Sequence, residues 1–562
     1  MLGTLLIKNP QKTTPRLRRY LLRDPFGDAI AAGAVNNTPA TIGGLRTGVD
    51  TENKLSVIDG AYSFSGGKAT PAFGDPAFSY QATPHARTFG CVMIFKGVTI
   101  ATFADGIIGL FPIGALGVND AHGFRLASTS LGIREAGAFS NLIVATLSAG
   151  VSYDLAIIER AAGAFFFIKG GAFSTYRLLG ITAVNGLANL VVGISNKATV
   201  FTGTDIITPS RLYNIAPLAS DSFTIQATTD GQGHAEQNGG AGLTWLDAAN
   251  TWAVAGGAVS NTPSVGAELV TNGNMETGDP PSSWASGASG VLDGVADERT
   301  GGSGTQSMSV VNGAVSAGRC QQSFPQPSGT WILFSGWGRR AVGINNPVLR
   351  VRNTNGGTIA YAITLATTTS WTFGVMTARL LTGTSFLGVE ASSSTASDEF
   401  RADDVSGTAL TLSTLFRSLL LSTPDVYRRA RVVSLTAGTQ AGIVIRLDSA
   451  ATPTQGIIVY FDGAGNIGCE EFTGTTTYTA LFTAVVKAFT ASDSLIVHAM
   501  GTAIRIYHET AAGVQTLIGT GTTTVTTGNL HGIFSTFSGN TLDNLVTYPI
   551  GTEGQWESLN SM

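Results

Sequence analysis

Charge is scarce in this chain. Asp, Glu, Lys and Arg together make up 12% of its residues, about half the roughly 25% of ordinary globular proteins. The formal net charge of −4 supplies no global field that would draw it to nucleic acid. Cysteine is almost absent. Cys91, Cys320 and Cys469 lie far apart, which excludes a disulfide framework and any cysteine-based metal spacing. Reduced, buried thiols made in a cytosol are the expectation. No run reaches the 18 or so apolar residues of a membrane-spanning helix, and MLGTLLIKNPQK is too short for a secretory signal. Catalytic signatures are missing too. There is no GxSxG, no phosphate loop and no Cys–His–Asp set. The histidines, His85, His122, His234, His498, His508 and His531, show no ligand spacing. The Gly-rich DGQGHAEQNGGAG at 230–242 lacks the strand-to-helix setting that phosphate binding needs.

What the chain does have is turns and short apolar runs. Its 71 glycines and abundant Thr, Ser and Ala come with 43% hydrophobic residues, too many for disorder. FGCVMIFKGVTIATF (89–103), NLVVGISNKATVFTG (189–203) and GIIVYFDGAGNIG (456–468) are short β-type runs between turn clusters. Asp462-Gly463 and Met500-Gly501 sit where hairpin turns belong. Helical periodicity is hardly visible. The pattern predicts an all-β chain of several sandwich domains, three or four by length.

One basic stretch breaks the charge balance. Residues 1–23 hold Lys8, Lys12, Arg16, Arg18, Arg19 and Arg23 and no acid, a local +6 against −10 for the remainder. With Pro10 and Pro15 it reads as an extended arm. It lacks interleaved aromatics and is short, so a docking arm is favoured over a nucleic-acid contact.

Residues 221–258 repeat residues 24–61 at a constant offset of 197, without a gap. Asp24, Phe26, Asp50, Asn53, Val57, Gly60 and Ala61 fall on Asp221, Phe223, Asp247, Asn250, Val254, Gly257 and Ala258. A fixed offset marks a duplicated unit, and here the unit is a domain opening. The second opening leads into AELVTNGNMETGDPPSSWASGASG (267–290), which starts afresh, and further strands follow only after residue 408. The domains read as a basic arm at 1–23, a lectin-like sandwich at 24–219, and a second at 220–263 plus 408–550. A guest module lies at 264–407 and a tail at 551–562. Three tandem domains are the alternative.

ELVTNGNMETG with Trp284, TQSMSVVNG, and EFRADDVSG give residues 264–407 a resemblance to the carbohydrate-binding modules appended to xylanases. These are jelly-roll sandwiches. The flanking halves and residues 24–218, closing on TLDNLVTYP (541–549), resemble concanavalin-like or laminin-G-like sandwiches. The Asp-x-Phe openings look like those of tailed-bacteriophage tail fibres and other virion appendages. The module resemblance points to a structural calcium between Glu276 and Asp404, with Asp403 beside them. Calcium takes such hard oxygen ligands.

Sugar binding needs flat aromatic faces and polar groups that orient hydroxyls. Trp284, Trp331, Trp337 and Trp371, four of the seven tryptophans, fall in the module, with Arg339 and Arg340 close by. Core packing is the competing role for each tryptophan. Trp331 and Trp337, six apart, share a face on a continuous strand. Glycoside hydrolysis needs two carboxylates across one cleft. The dense acidic cluster, Asp462 with Glu470 and Glu471, sits at a predicted hairpin and reads as a solvated turn. No catalytic residue is therefore assigned.

The expectation is a non-enzymatic virion component made in a host cytoplasm, a tail fibre or surface appendage. It would bind other virion proteins through its arm and host glycans through its module. Its resemblance implies a homo-oligomer, a trimer in fibres. A capsid or tail decoration without sugar binding and a polysaccharide-degrading tailspike are the alternatives.

Overall fold

The computed structural model describes residues 20–550, apart from 37, 41–44, 59, 68–72, 81–90, 113–121, 128–129, 136–137, 161–162, 183–189, 210–218, 224–242, 248, 288–289, 297–298, 300, 303, 314–316, 355–356, 366–368, 382 and 384. Most of the basic arm, the tail at 551–562 and the Gly-rich stretch at 230–242 lie outside the described residues. So does the side chain of Cys91. The all-β expectation holds: every described sheet is antiparallel, and Leu412–Leu415 is a lone turn of 3-10 helix among the described residues. Two compact units form, one ending at about Ile215 and taking in Ile550, the other spanning Ala216–Pro549.

The first unit is a sandwich of a nine-stranded and an eight-stranded sheet. Cys91–Thr102 lies between Ser152–Arg160 and Val200–Gly203 in the larger sheet, and Asp105–Pro112 pairs with Leu190–Asn196 in the smaller. Alternate side chains of both sheets meet in one core, where Phe124 of one packs edge-on against Phe166 of the other at 5.1 Å.

The second unit holds four sheets. Trp252–Ala255 and Ala258–Asn261 join Thr541–Pro549, Val426–Ser434 and Ser494–Met500 in an eight-stranded sheet. A seven-stranded sheet containing Gln440–Leu447, Gln455–Asp462 and Leu530–Ser535 packs on it. Strands from 219–261 and from 416–549 thus share one pair of sheets and one core, with Trp245 and Trp252 fully buried in it. Strands from 265–410 form another pair, of six and five strands, around Met308, Phe334, Leu349, Val389 and Phe400. The Asp462-Gly463 and Met500-Gly501 turns each join two antiparallel strands.

Trp331–Val342 links the two sandwiches of this unit. Ile332, Phe334, Gly336 and Gly338 face their own core, so Trp331, Leu333, Ser335, Trp337 and Arg339 face outward. The first part of that outer face lies against the seven-stranded sheet. Trp331 packs on Phe534 at 5.6 Å, Arg379 pairs with Glu470 at 2.6 Å, and Thr377 Oγ1 donates to Gln440 Oε1 at 2.5 Å. A strand face that period-2 patterning marks as solvent-facing is here half covered by a neighbouring sandwich.

Candidate functional site

The five-stranded sheet of the 265–410 sandwich turns a polar face away from the core. In Pro347–Arg352, Leu349 and Val351 enter the core, which sends Arg350 and Arg352 to the opposite side. In Ser385–Ala391 the same alternation buries Leu387 and Val389 and turns out Phe386, Gly388 and Glu390. Arg319 lies opposite Glu390, while Gln321 and Arg350 flank Gly388 from either side. The centre of the face therefore has no side chain of its own.

Long polar side chains lean over that floor. Arg350 Nη1 donates to Glu390 Oε2 at 2.7 Å, and Arg352 donates through Nε at 2.6 Å and Nη2 at 2.7 Å. Glu390 is only 2% exposed although it sits on the outer face of the sheet. Burial works to raise its pKa, but the hydrogen bonds from Arg352 and Arg350 hold it below its ordinary value. Burial pulls the Arg319 guanidinium down; Glu390 opposes that shift, and Arg352 and Arg350 reinforce it. Three guanidinium groups around one carboxylate leave a formal +2. Planar donor forks, held in place by the buried Glu390, and the half-buried Phe386 ring together suit a hydroxyl-rich ligand.

None of these residues was singled out by tryptophan content. Their signal is the alternation Leu-Arg-Val-Arg at 349–352 set against Gly-Val-Glu-Ala at 388–391, a charged stripe on strands whose other stripe is apolar.

The tryptophans divide. Trp284 is 7% exposed, belongs to the sandwich core and donates Nε1–H to the Asn272 carbonyl at 2.9 Å. The expected stacking role at Trp284 gives way to packing, because its ring has no open face. Trp331 is 3% exposed and donates to the Tyr478 hydroxyl at 3.2 Å. It is an inter-sandwich anchor instead of a surface platform. Trp337 and Trp371 are half-buried at the open end of the same sheet face. The Arg299 guanidinium lies 4.1 Å over Trp337, and Arg339 lies 5.5 Å over Trp371. Phe373, beside Trp337 at 5.3 Å, is 48% exposed. This second patch presents ring edges and cations more than free ring faces.

The calcium expectation meets a different chemistry. Glu276 Oε1 accepts from the backbone N–H of Thr305 and of Gln306, each at 2.6 Å. Asp404 is paired with Arg299. Asp403 is buried beside Asp404, and burial first, then that neighbour's charge, pushes its pKa up to about 7. Among the described residues no group of three or more His, Cys, Asp or Glu is arranged to hold a metal ion. Backbone amides and a guanidinium take the places a cation would need, so Glu276 and Asp404 as placed do not fit calcium.

The acidic cluster is also engaged. Asp462 accepts from the N–H groups of Ala464 and Asn466 in its turn, Glu470 pairs with Arg379, and Glu471 accepts from Thr523 and Thr524. His508 is buried, with Nε2 at 2.9 Å from Asp493.

No family model matches this chain, and no curated protein does. Among solved structures it is similar to the CBM22-1 xylan-binding domain of Xyn10C from Paenibacillus barcinonensis, at 14% identity over 27% of this chain and 97% of that domain, with a TM-score of 0.21. It is similar to the enzymatically active domain of tailspike protein 4 of bacteriophage CBA120, at 12% identity over 25% of this chain, with a TM-score of 0.21. The alignment spans only 21% of that tailspike chain. It is also similar to tail fiber protein gp63.1 from an E. coli phage, at 12% identity over 48% of this chain and 40% of that one, with a TM-score of 0.18. Scores at this level fix neither a family nor an activity.

Proposed function

We propose that this chain is a non-enzymatic, glycan-binding structural component of a tailed-phage particle, a tail fibre or related surface appendage. The observation that carries the glycan reading is Glu390, clamped by Arg350 and Arg352 on a sheet face turned away from the core. These pairs fix the planes of both guanidinium groups, the pre-organisation that recognition of a hydroxyl-rich ligand needs. Desolvating a charge is costly unless the site uses it or fully pairs it. The particle reading rests on the resemblance of the two Asp-x-Phe openings to virion appendages.

The mechanism is weak recognition multiplied by copy number. Several chains held on one particle would engage a surface polysaccharide together, and effective concentration would convert modest affinities into firm attachment. The basic stretch at 1–23 is the proposed anchor to other virion proteins, in a trimeric assembly. No catalytic step is assigned, since the acids of the 462–471 cluster are each held by local partners.

The test is a glycan array probed with the full chain, alongside Arg350→Ala. Binding by the wild type that falls at least tenfold in the variant supports the reading. A wild type that binds no glycan favours a decoration protein.

A further inference from the structure

We infer that the seam between the 265–410 sandwich and the seven-stranded sheet beside it is a second binding site, which takes one neutral monosaccharide unit at the end of a glycan. It shares a ligand class with the proposed function but not its residues. The seam holds a cleft of about 240 Å³ lined by Trp331, Tyr361, Gln440, Tyr460, Asp462 and Asn466, among others. That volume falls below the roughly 300–1,000 Å³ of sites for drug-sized molecules, which limits the occupant to a single ring.

The walls are of the right kind and are held in place. The half-buried Tyr361 and Tyr460 supply ring surface for pyranose C–H groups, and the buried Trp331 closes the floor behind them. Gln440 is fixed as wall: its Oε1 accepts from Thr377 at 2.5 Å and Thr536 at 3.1 Å, and its Nε2 donates to the Thr377 carbonyl at 3.0 Å. At the rim, Asp462 Oδ2 accepts only from Asn466 Nδ2, at 3.0 Å, among the described residues. An acceptor position remains there for a sugar hydroxyl, and Asn466 Oδ1 offers another. The sandwiches are locked around the cleft by the Gly438 carbonyl, which accepts from Thr377 N–H at 2.9 Å, and by the Arg379–Glu470 pair.

Charge sets the ligand class. Asp462 is the one ionisable acid in the lining, and no Lys, Arg or His lines the cleft. Burial keeps the phenols of Tyr361 and Tyr460 above their ordinary pKa, so both remain neutral. An acidic sugar would therefore meet the Asp462 carboxylate, while the nearby Arg379 is already paired with Glu470. The Glu390 face, with its three arginines, has the opposite balance. The two sites are tuned to different units of a polysaccharide, and one lies where a bound ring touches both sandwiches.

Saturation-transfer NMR of the full chain with the methyl glycosides of glucose, galactose, N-acetylglucosamine and glucuronic acid tests this. At least one neutral glycoside should give transfer with the wild type and with Arg350→Ala. The signal should fall at least tenfold in Ala464→Trp, where the exposed turn residue on the rim gains a ring that fills the mouth. Asp462→Asn should weaken it by about as much, and methyl glucuronide should not compete for the cleft. Undiminished signal in Ala464→Trp overturns the seam site. If that signal is instead lost in Arg350→Ala, the seam site fails while the glycan reading of the Glu390 face stands.

Discussion

Phe26 and Phe223 stand 197 positions apart, and both hold the left-handed backbone, at φ of 50° and 53°. Each N–H donates to the Asp two residues before it, Asp24 at 3.2 Å and Asp221 at 2.8 Å. Each ring lies under a guanidinium, Arg46 at 5.0 Å and Arg417 at 5.8 Å. The same offset carries Asp50 accepting from Leu55 N–H onto Asp247 accepting from Trp252 N–H. The repeat in the letters is a repeat in backbone strain and hydrogen bonding. An aromatic residue at positive φ is unfavourable by itself and is kept only where its surroundings enforce it.

Asn53 and Asn250 complete the device, both at φ of 54°. Asn tolerates the left-handed region better than other residues with a Cβ, and Gly tolerates it best. Asn250→Ala should destabilise the second unit by about 1 kcal/mol, and Asn250→Gly should stay within a few tenths. Urea unfolding followed by Trp fluorescence, with Trp245 and Trp252 in that unit's core, reads the difference.

Asp24 is fully buried and accepts from Arg46 Nε and Nη2, each at 2.6 Å, and from the Tyr80 hydroxyl at 2.8 Å. Removing Asp24 leaves the buried Arg46 with only the partly exposed Asp28 as its carboxylate partner. Asp24→Ala should cost about 3 kcal/mol. Asp28 also bonds Arg46 but its side chain is 41% exposed, so Asp28→Ala should cost under about 1 kcal/mol. Equal losses in thermal unfolding would contradict this ranking.

His531 gives the second unit an acid-sensitive core. Burial first, then the charge of Arg428, lowers its pKa to about 3, while Nε2 stays 3.0 Å from the Thr423 carbonyl. The folded pKa lies below the unfolded value of about 6.5, so between these limits only the unfolded chain binds the proton. Its contribution is complete above about pH 6.5 and is lost as pH falls toward 3, with a slope approaching about 1.4 kcal/mol per pH unit. His531→Gln should flatten the pH dependence across that window, checked by urea midpoints from pH 7 to pH 4.

The two kinds of tryptophan in the 265–410 sandwich should separate on truncation. Trp284→Ala empties a core position and should cost about 3–5 kcal/mol. Trp337→Ala removes a half-buried ring and its Arg299 contact and should cost about 1 kcal/mol. Differential scanning calorimetry of both variants distinguishes core from surface.

Period-2 patterning says which side chains share a face, and it says nothing of what covers that face. The all-β class was legible for the first reason, in runs such as GIIVYFD and LIVHAM between turn residues. Trp331 and Trp337 do lie on one side of one strand, yet Tyr478, 147 residues away, covers the first and not the second. The partner of Asp404 was hidden similarly, because Arg299, 105 residues before it, is not part of either terminal motif. The Glu390 face was readable in principle from Leu-Arg-Val-Arg. Tryptophan content does not mark it, because this face is built from guanidinium groups.

The most direct measurement is equilibrium binding of the full chain to purified surface polysaccharide of the host bacterium, by isothermal titration, with Glu390→Gln and Arg350→Ala alongside. Saturable binding by the wild type is expected, with at least tenfold weaker binding by both variants and no reducing ends released during the incubation. Wild-type affinity retained in both variants, or steady release of reducing ends, would contradict it.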